Sequence, residues 1–240
     1  MERPAKRAFV DGVANRRWSL AGSNFLIPSF HTEINDSHVK TAGAIAEVVG
    51  ESLWGSLPVV ETLEPHNTDT AQMLLDVNWR PALSVIGAGG LPPVESAGNV
   101  LRTHTDLALS LRIPPGVNSQ KAMIELTEIL ERDPPFGAEV KFEAHPPADG
   151  FRAPPLPPNV AEELERVSNS LTGKPPHTTW VGGTIPFMAM MQSKYPDSAF
   201  LCTGAAGPGN NAHGPDEKLH IPTAKRLTAA IAAVSWSVGN

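Results

Sequence analysis

Apolar positions along this chain recur at helical intervals, then at intervals of two, then at helical intervals again. After Ser37, the residues Val39, Ala42, Ile45, Val48, Val49 and Leu53 fall on one side of a helix, and the pattern predicts that Ser37 opens it. A loop with Pro65, Asn67 and Asp69 follows, then a shorter helical run around "AQMLLDVNW". The period then drops to two. "RPALSVIGAGG" reads as a strand entering a glycine-rich turn. In a second strand Leu107, Leu109 and Leu111 alternate with Ala108, Ser110 and Arg112, and Pro114 and Pro115 stop it. Asn118 is placed to cap the next helix, whose Ala122, Met123, Leu126, Ile129 and Leu130 make a face suited to packing on a sheet. "AEVKFEA" is predicted to be a strand. Residues 80–144 thus read as strand, strand, helix, strand, most of a split βαβ unit with an antiparallel sheet.

A proline-rich connection, "HPPADGFRAPPLPP", marks a domain boundary. Beyond it, Asn159 and Glu162 have capping-box spacing on a helix carrying Val160, Leu164, Val167 and Leu171. "HTTWVGG" reads as a strand, Pro186 sits in the first turn of a helix through Gln192, and "SAFLCTG" reads as a buried strand. A last helix starts at Pro222 and carries Leu227, Ile231 and Val234. The fold class is therefore α/β: an α+β part with an antiparallel sheet and helices, then an α/β layer that two strands leave incomplete. Residues 1–23 show little periodicity and read as a poorly defined lead-in.

The chain has 240 residues, 41% hydrophobic and 18% charged, which suits a sizeable globular core. A net charge of −6 without a basic run argues against nucleic-acid binding. A single cysteine, Cys202, excludes an internal disulfide and makes a cysteine-based metal site a poor fit. That usage suits a reducing, cytoplasmic setting. No apolar run is long enough to span a membrane, so no membrane partner is expected. The basic lead-in has no secretory-type apolar segment, although its low acid content leaves a mitochondrial transit segment open.

Three motifs could carry chemistry. In "GPGNNAHGPDE", His213 stands among small residues that allow close approach, with Asn210, Asn211, Asp216, Glu217 and His220 as polar neighbours. It reads either as a metal ligand or as a solvated loop histidine. In "GGTIP", Gly182 and Gly183 lead into a helix N-terminus, where free backbone N–H groups favour an anion, and Thr184 adds a hydroxyl. The alternative is an ordinary capped turn. Arg112 ends a strand on its polar side and could grip a carboxylate with two hydrogen bonds, or simply face water. Other patterns are set aside. His104 and Asp106 have metal-motif spacing but lie between strands, far in sequence from other ligands. Glu162 and Glu163 sit in a helix first turn, where acids are expected. "GAGG" at 87–90 runs into prolines instead of a helix. No Gly-x-Ser-x-Gly elbow occurs.

Taken in order, "GNVLR…LSLRIPP", "GGTIPFM" and "NNAHGPDEKLHIP" resemble the C-terminal half of the zinc aminoacylase, carboxypeptidase G and carnosinase-like metallopeptidase family, over residues 24–238. Members have a catalytic α/β domain with two metal ions and an inserted lid domain that commonly mediates dimerisation. The resemblance implies that 24–149 are lid, incomplete at its N-terminus, and that 150–240 are the last segment of the catalytic domain. It implies that His213 completes one metal centre and that Arg112 binds the substrate carboxylate. Asn99 would contact substrate, and Gly182, Gly183 and Thr184 would form part of the carboxylate pocket. Val181 stands where many relatives have an acid, and Asp216 where asparagine is common.

The family's other ligands are a His-x-Asp motif, a bridging aspartate, a Glu-Glu pair whose first member is the general base, and a further acid. They belong to an N-terminal portion outside these residues, as does the lid histidine. The expectation is a zinc-dependent hydrolase of a small peptide or N-acyl amino acid, present as a C-terminal part that is inactive alone, its missing half either supplied by a separate chain or lost by truncation. No catalytic residue is assigned within it. The expected protein partner is a second copy, in a homodimer through the lid, or a complementing N-terminal chain. The alternative is a non-catalytic dimerisation or interaction protein derived from the lid.

Overall fold

The computed structural model describes residues 27–55, 60, 62, 64, 67–181, 185–207, 209–212 and 214–239. Helix α1 (Asp36–Val49) opens at Asp36, one residue before Ser37. Asn35 is its cap: the side chain accepts the His38 N–H at 3.2 Å, and the Asn35 N–H is 3.3 Å from His38 Nδ1. Its buried stripe is His38, Ala42 and Ile45, while Val39 and Val48, expected on the same side, are about half exposed. Asp69 caps α2 (Thr70–Trp79) by accepting from the N–H groups of Ala71 and Gln72. Ala42, Ile45, Leu74, Leu75 and Trp79 form one apolar cluster between these two helices, with Trp180 packed against it.

Strands β1 (Ala82–Gly89) and β2 (Asp106–Arg112) pair antiparallel, from Ala82 opposite Arg112 to Gly89 opposite Asp106. A bulge between Val85 and Gly87 adds one residue to β1 and leaves Ile86 exposed. The predicted alternation on β2 holds except at Ser110: the leucines are half-buried and Asp106, Ala108 and Arg112 exposed, while Ser110 is half-buried as well. Helix α3 (Ser119–Glu131) buries Ala122, Leu126 and Leu130, which cluster with Phe30, Leu83 and Val117. Two acceptors hold its start. Asn118 takes the Lys121 N–H at 2.9 Å, as its sequence position predicts, and Asp149 takes the Ser119 N–H at 2.8 Å.

The expected strand at 138–144 is not one. Its backbone joins no ladder; Phe142 packs on the Phe30 cluster, and its N–H donates to the Glu131 carboxylate at 2.7 Å. The described residues of "HTTWVGG" and the run "SAFLCTG" are likewise irregular. Strand-like composition makes a strand only where a partner supplies the hydrogen bonds, and among the described residues only β1 and β2 pair. The expected α/β layer in the second part is therefore absent among the described residues, where helices and irregular chain stand instead.

Helix α4 (Pro158–Thr172) begins on two prolines. The Asn159–Glu162 capping box does not form: Pro157 takes the cap position with no side-chain bond, and Pro158, which has no N–H to satisfy, starts the helix. Gly173 ends it in the left-handed conformation, φ 71°. Helices α5 (Pro186–Lys194) and α6 (Ile221–Gly239) follow. Val160 and Val167 of α4 pack on Val234 of α6, with Ala230 and Ala233 alongside, and Ile231 faces water.

The chain divides into two compact units. One comprises 1–152 and 179–191 and holds the two clusters around Phe30 and Trp79. The other comprises 153–178 and 192–240 and holds the Val160 cluster. The architecture is mixed α/β.

Candidate functional site

Arg112 is the last residue of β2, opposite Ala82, and its side chain is exposed on the polar side of the strand. Pro114 and Pro115 follow, and the turn closes through the Val117 N–H and the Pro114 carbonyl at 3.3 Å. The strand thus presents a guanidinium at a rigid stop, outside the apolar face that packs on α3. Asn99 lies in a bend of the connection between β1 and β2, also exposed. That connection leaves the sheet at the Gly89–Asp106 end, whereas Arg112 lies at the Ala82 end, about 20 Å along the strand. The ladder does not by itself bring these two residues together.

Gly182, Gly183, Thr184 and His213 lie outside the described residues. Described residues on either side of His213 are joined by hydrogen bonds. The Lys218 N–H donates to the Asn210 carbonyl at 2.9 Å, which closes the loop at its base. Within it, the Gly214 N–H donates to the Asn211 carbonyl at 2.8 Å. Asn211 takes a left-handed φ of 50°, and its side-chain amide donates to the Asp216 carboxylate. A Cβ at position 214 would run into the Asn211 side-chain amide and displace it from Asp216. His220 is spent locally: its Nδ1 is 2.8 Å from Thr223 Oγ1 and 3.3 Å from the Thr223 N–H, at the start of α6. Of the polar neighbours that the sequence offers to His213, Asn211, Asp216 and His220 therefore have structural tasks.

The described residues alone do not make a metal site. No group of three or more His, Cys, Asp or Glu side chains among them could hold an ion. His104 and Asp106 are 3.7 Å apart and both exposed, a solvated pair with no third ligand among the described residues.

Among the described residues the most buried histidine is His38, which is not among the candidate residues that the motifs single out. His38 is 5% exposed. Its ring stacks on Trp79, centroids 3.9 Å apart, and meets the edge of Trp180 at 6.1 Å. Arg152 Nη2 is 2.8 Å from its Nε2. Burial and then the Arg152 charge push its pKa below the usual histidine value. A signal existed: His38, Ala42 and Ile45 share helical spacing, so the histidine belongs to the apolar stripe.

No protein-family model matches the chain. Over 145 residues, 60% of its length, it is 28% identical to a cysteinylglycine-S-conjugate dipeptidase of Corynebacterium striatum, of which the match covers 32%. Its fold is similar to that of human carnosine dipeptidase 1, with a TM-score of 0.68, 18% identity and coverage of 96% of this chain and 49% of that one. An M20 family metallo-carboxypeptidase from Sulfolobus solfataricus gives 0.67 at 15% identity, covering 99% and 53%. The di-peptidase Dug1p from Saccharomyces cerevisiae gives 0.66 at 15%, covering 96% and 48%. The chain spans about half the length of these solved structures.

Proposed function

Proceeding from a chain that is M20 metallopeptidase-like in sequence and fold, we propose that it serves metal-dependent hydrolysis of an amide bond beside a free carboxylate. The substrate is a dipeptide or an N-acyl amino acid. The observation that carries this reading is the 145-residue sequence match to a dipeptidase, which runs through more than half of the chain. The names of the similar proteins favour a hydrolase over a purely non-catalytic interaction protein.

In this reading the residues divide the work. Arg112 receives the substrate carboxylate in a two-pronged hydrogen bond, and its place at a proline-stopped strand end fixes where that carboxylate sits. The Gly182 and Gly183 amides and the Thr184 hydroxyl, just before α5, add donors that an anion favours. Asn99 contacts the rest of the substrate. His213 offers one ligand to a zinc ion. A catalytic zinc takes about three protein ligands, so the others come from outside these residues, from a further segment or a complementing chain. Residues 24–149 act as the lid and dimer-forming part, and 150–240 as a segment of the catalytic domain. The apolar surface that the second unit leaves to water, including Leu219, Ile221 and Trp236, supports a protein neighbour there.

Binding of the carboxylate is testable without turnover. The full chain is titrated with N-acetylglycine and, separately, with its uncharged amide, while the Arg112 side-chain NMR signal is followed. The acid is expected to shift Arg112 and the amide to leave it. Equal responses to both, or none, overturn the assignment of Arg112.

A further inference from the structure

The chain leaves the first unit after Arg152 and returns to it at Thr179. Both passages are tied to one place. Arg152 reaches His38 Nε2 at 2.8 Å and lies 5.3 Å over the Trp79 ring, and Trp180 meets the edges of His38 and Trp79 at 6.1 and 5.4 Å. The residues that receive them, His38 on α1 and Trp79 on α2, are 5% and 4% exposed and stacked on each other. We propose that His38 is a proton-operated clasp: neutral, it fastens both passages of the chain to the α1–α2 pair, and protonated, it lets them go.

The chemistry rests on how many lone pairs the ring has. A neutral imidazole has one acceptor nitrogen. Two obligatory donors converge on His38, the Arg152 guanidinium at Nε2 and the Asn35 backbone N–H at Nδ1. The neutral ring satisfies one of them. A second proton removes the remaining lone pair, so that both nitrogens face donors and the new charge faces the Arg152 cation. The groups against the ring from the other elements are Arg152, Trp79 and Trp180. Neither tryptophan titrates, and burial and Arg152 are the influences on its charge, both against the proton. Arg152 is exposed at the surface. Trp180 then faces a charged ring in place of a neutral one, beside its 5.4 Å edge contact with Trp79. Trp180 lies two residues before the "GGTIP" motif in the sequence. The inference does not depend on the peptidase reading and survives its failure.

Hydrogen exchange of the full chain, corrected for intrinsic rates, tests it at pH 7.5 and 5.5. Peptides covering 150–156 and 176–181 are expected to open at least about tenfold more at the lower pH, while α3 does not change. In His38→Gln, which cannot titrate, that step is expected to vanish. If His38→Gln does not fold, Arg152→Gln serves instead: losing the cation is expected to raise the His38 NMR titration midpoint and carry the exchange step with it. A step that persists in folded His38→Gln, an unmoved midpoint in Arg152→Gln, or no step in the parent chain overturns the proposal.

Discussion

Asp149 and His38 give this protein two pH windows of similar sense and different cause. The Ser119 N–H holds the Asp149 carboxyl below its ordinary value of 3.8, because the bond favours the charged form. A depressed carboxylate stabilises the fold above that value and loses its contribution as pH falls below it. Since the site is open to water, Asp149→Ala is expected to cost only about 0.5 kcal/mol at neutral pH, less than a shielded cap. The difference should disappear near pH 2 in urea unfolding. His38 is held neutral, below 6.5, so the unfolded chain takes up the proton first. Its contribution is complete above 6.5 and shrinks as pH falls through that value towards the lower folded one. At the core, Phe30 is fully buried among Leu83, Leu126 and Leu130, and Phe30→Ala is expected to lose about 3–5 kcal/mol in the same assay.

Among the elements, α3 shows how local and distant signals combine. Asn118 is a cap that sequence reveals, and Asn118→Ala is expected to cost about 1 kcal/mol, read as a lower urea midpoint with an unchanged slope. Asp149, thirty residues away, holds the same helix end and could not be read from spacing. The β1–β2 pair was legible because leucines alternate on β2 and a helix face stands ready to cover them. The runs at 138–144 and 198–204 have similar composition, yet they do not pair among the described residues, because a ladder partner is not a property of the run itself. On α1, capping by Asn35 was hidden by the nearer Ser37, and the reciprocal partner is a histidine where glutamate or glutamine is usual. The buried His38 was missed for a related reason: polar residues were counted out of the stripe to which its spacing assigns it. In the candidate site, Arg112 was legible as the polar end of an alternating strand, whereas the bonds that shape the His213 loop depend on Asn211 taking a left-handed conformation.

For the whole molecule, the first unit carries two apolar clusters and the second one, and no helix among the described residues is long and apolar enough to cross a membrane. About half the length of a metallopeptidase fold is matched, and the described part lacks a set of metal ligands. The central claim is that these residues supply the carboxylate grip and one metal ligand, His213, to a zinc-dependent centre completed from elsewhere. The most direct test is zinc content after dialysis of the purified full chain, with dipeptide hydrolysis assayed on the same sample. The account predicts that the chain alone keeps no tightly bound zinc, because His213 is a single ligand, and that it does not hydrolyse dipeptide. Two tightly held zinc ions together with dipeptide hydrolysis by the chain alone would contradict it.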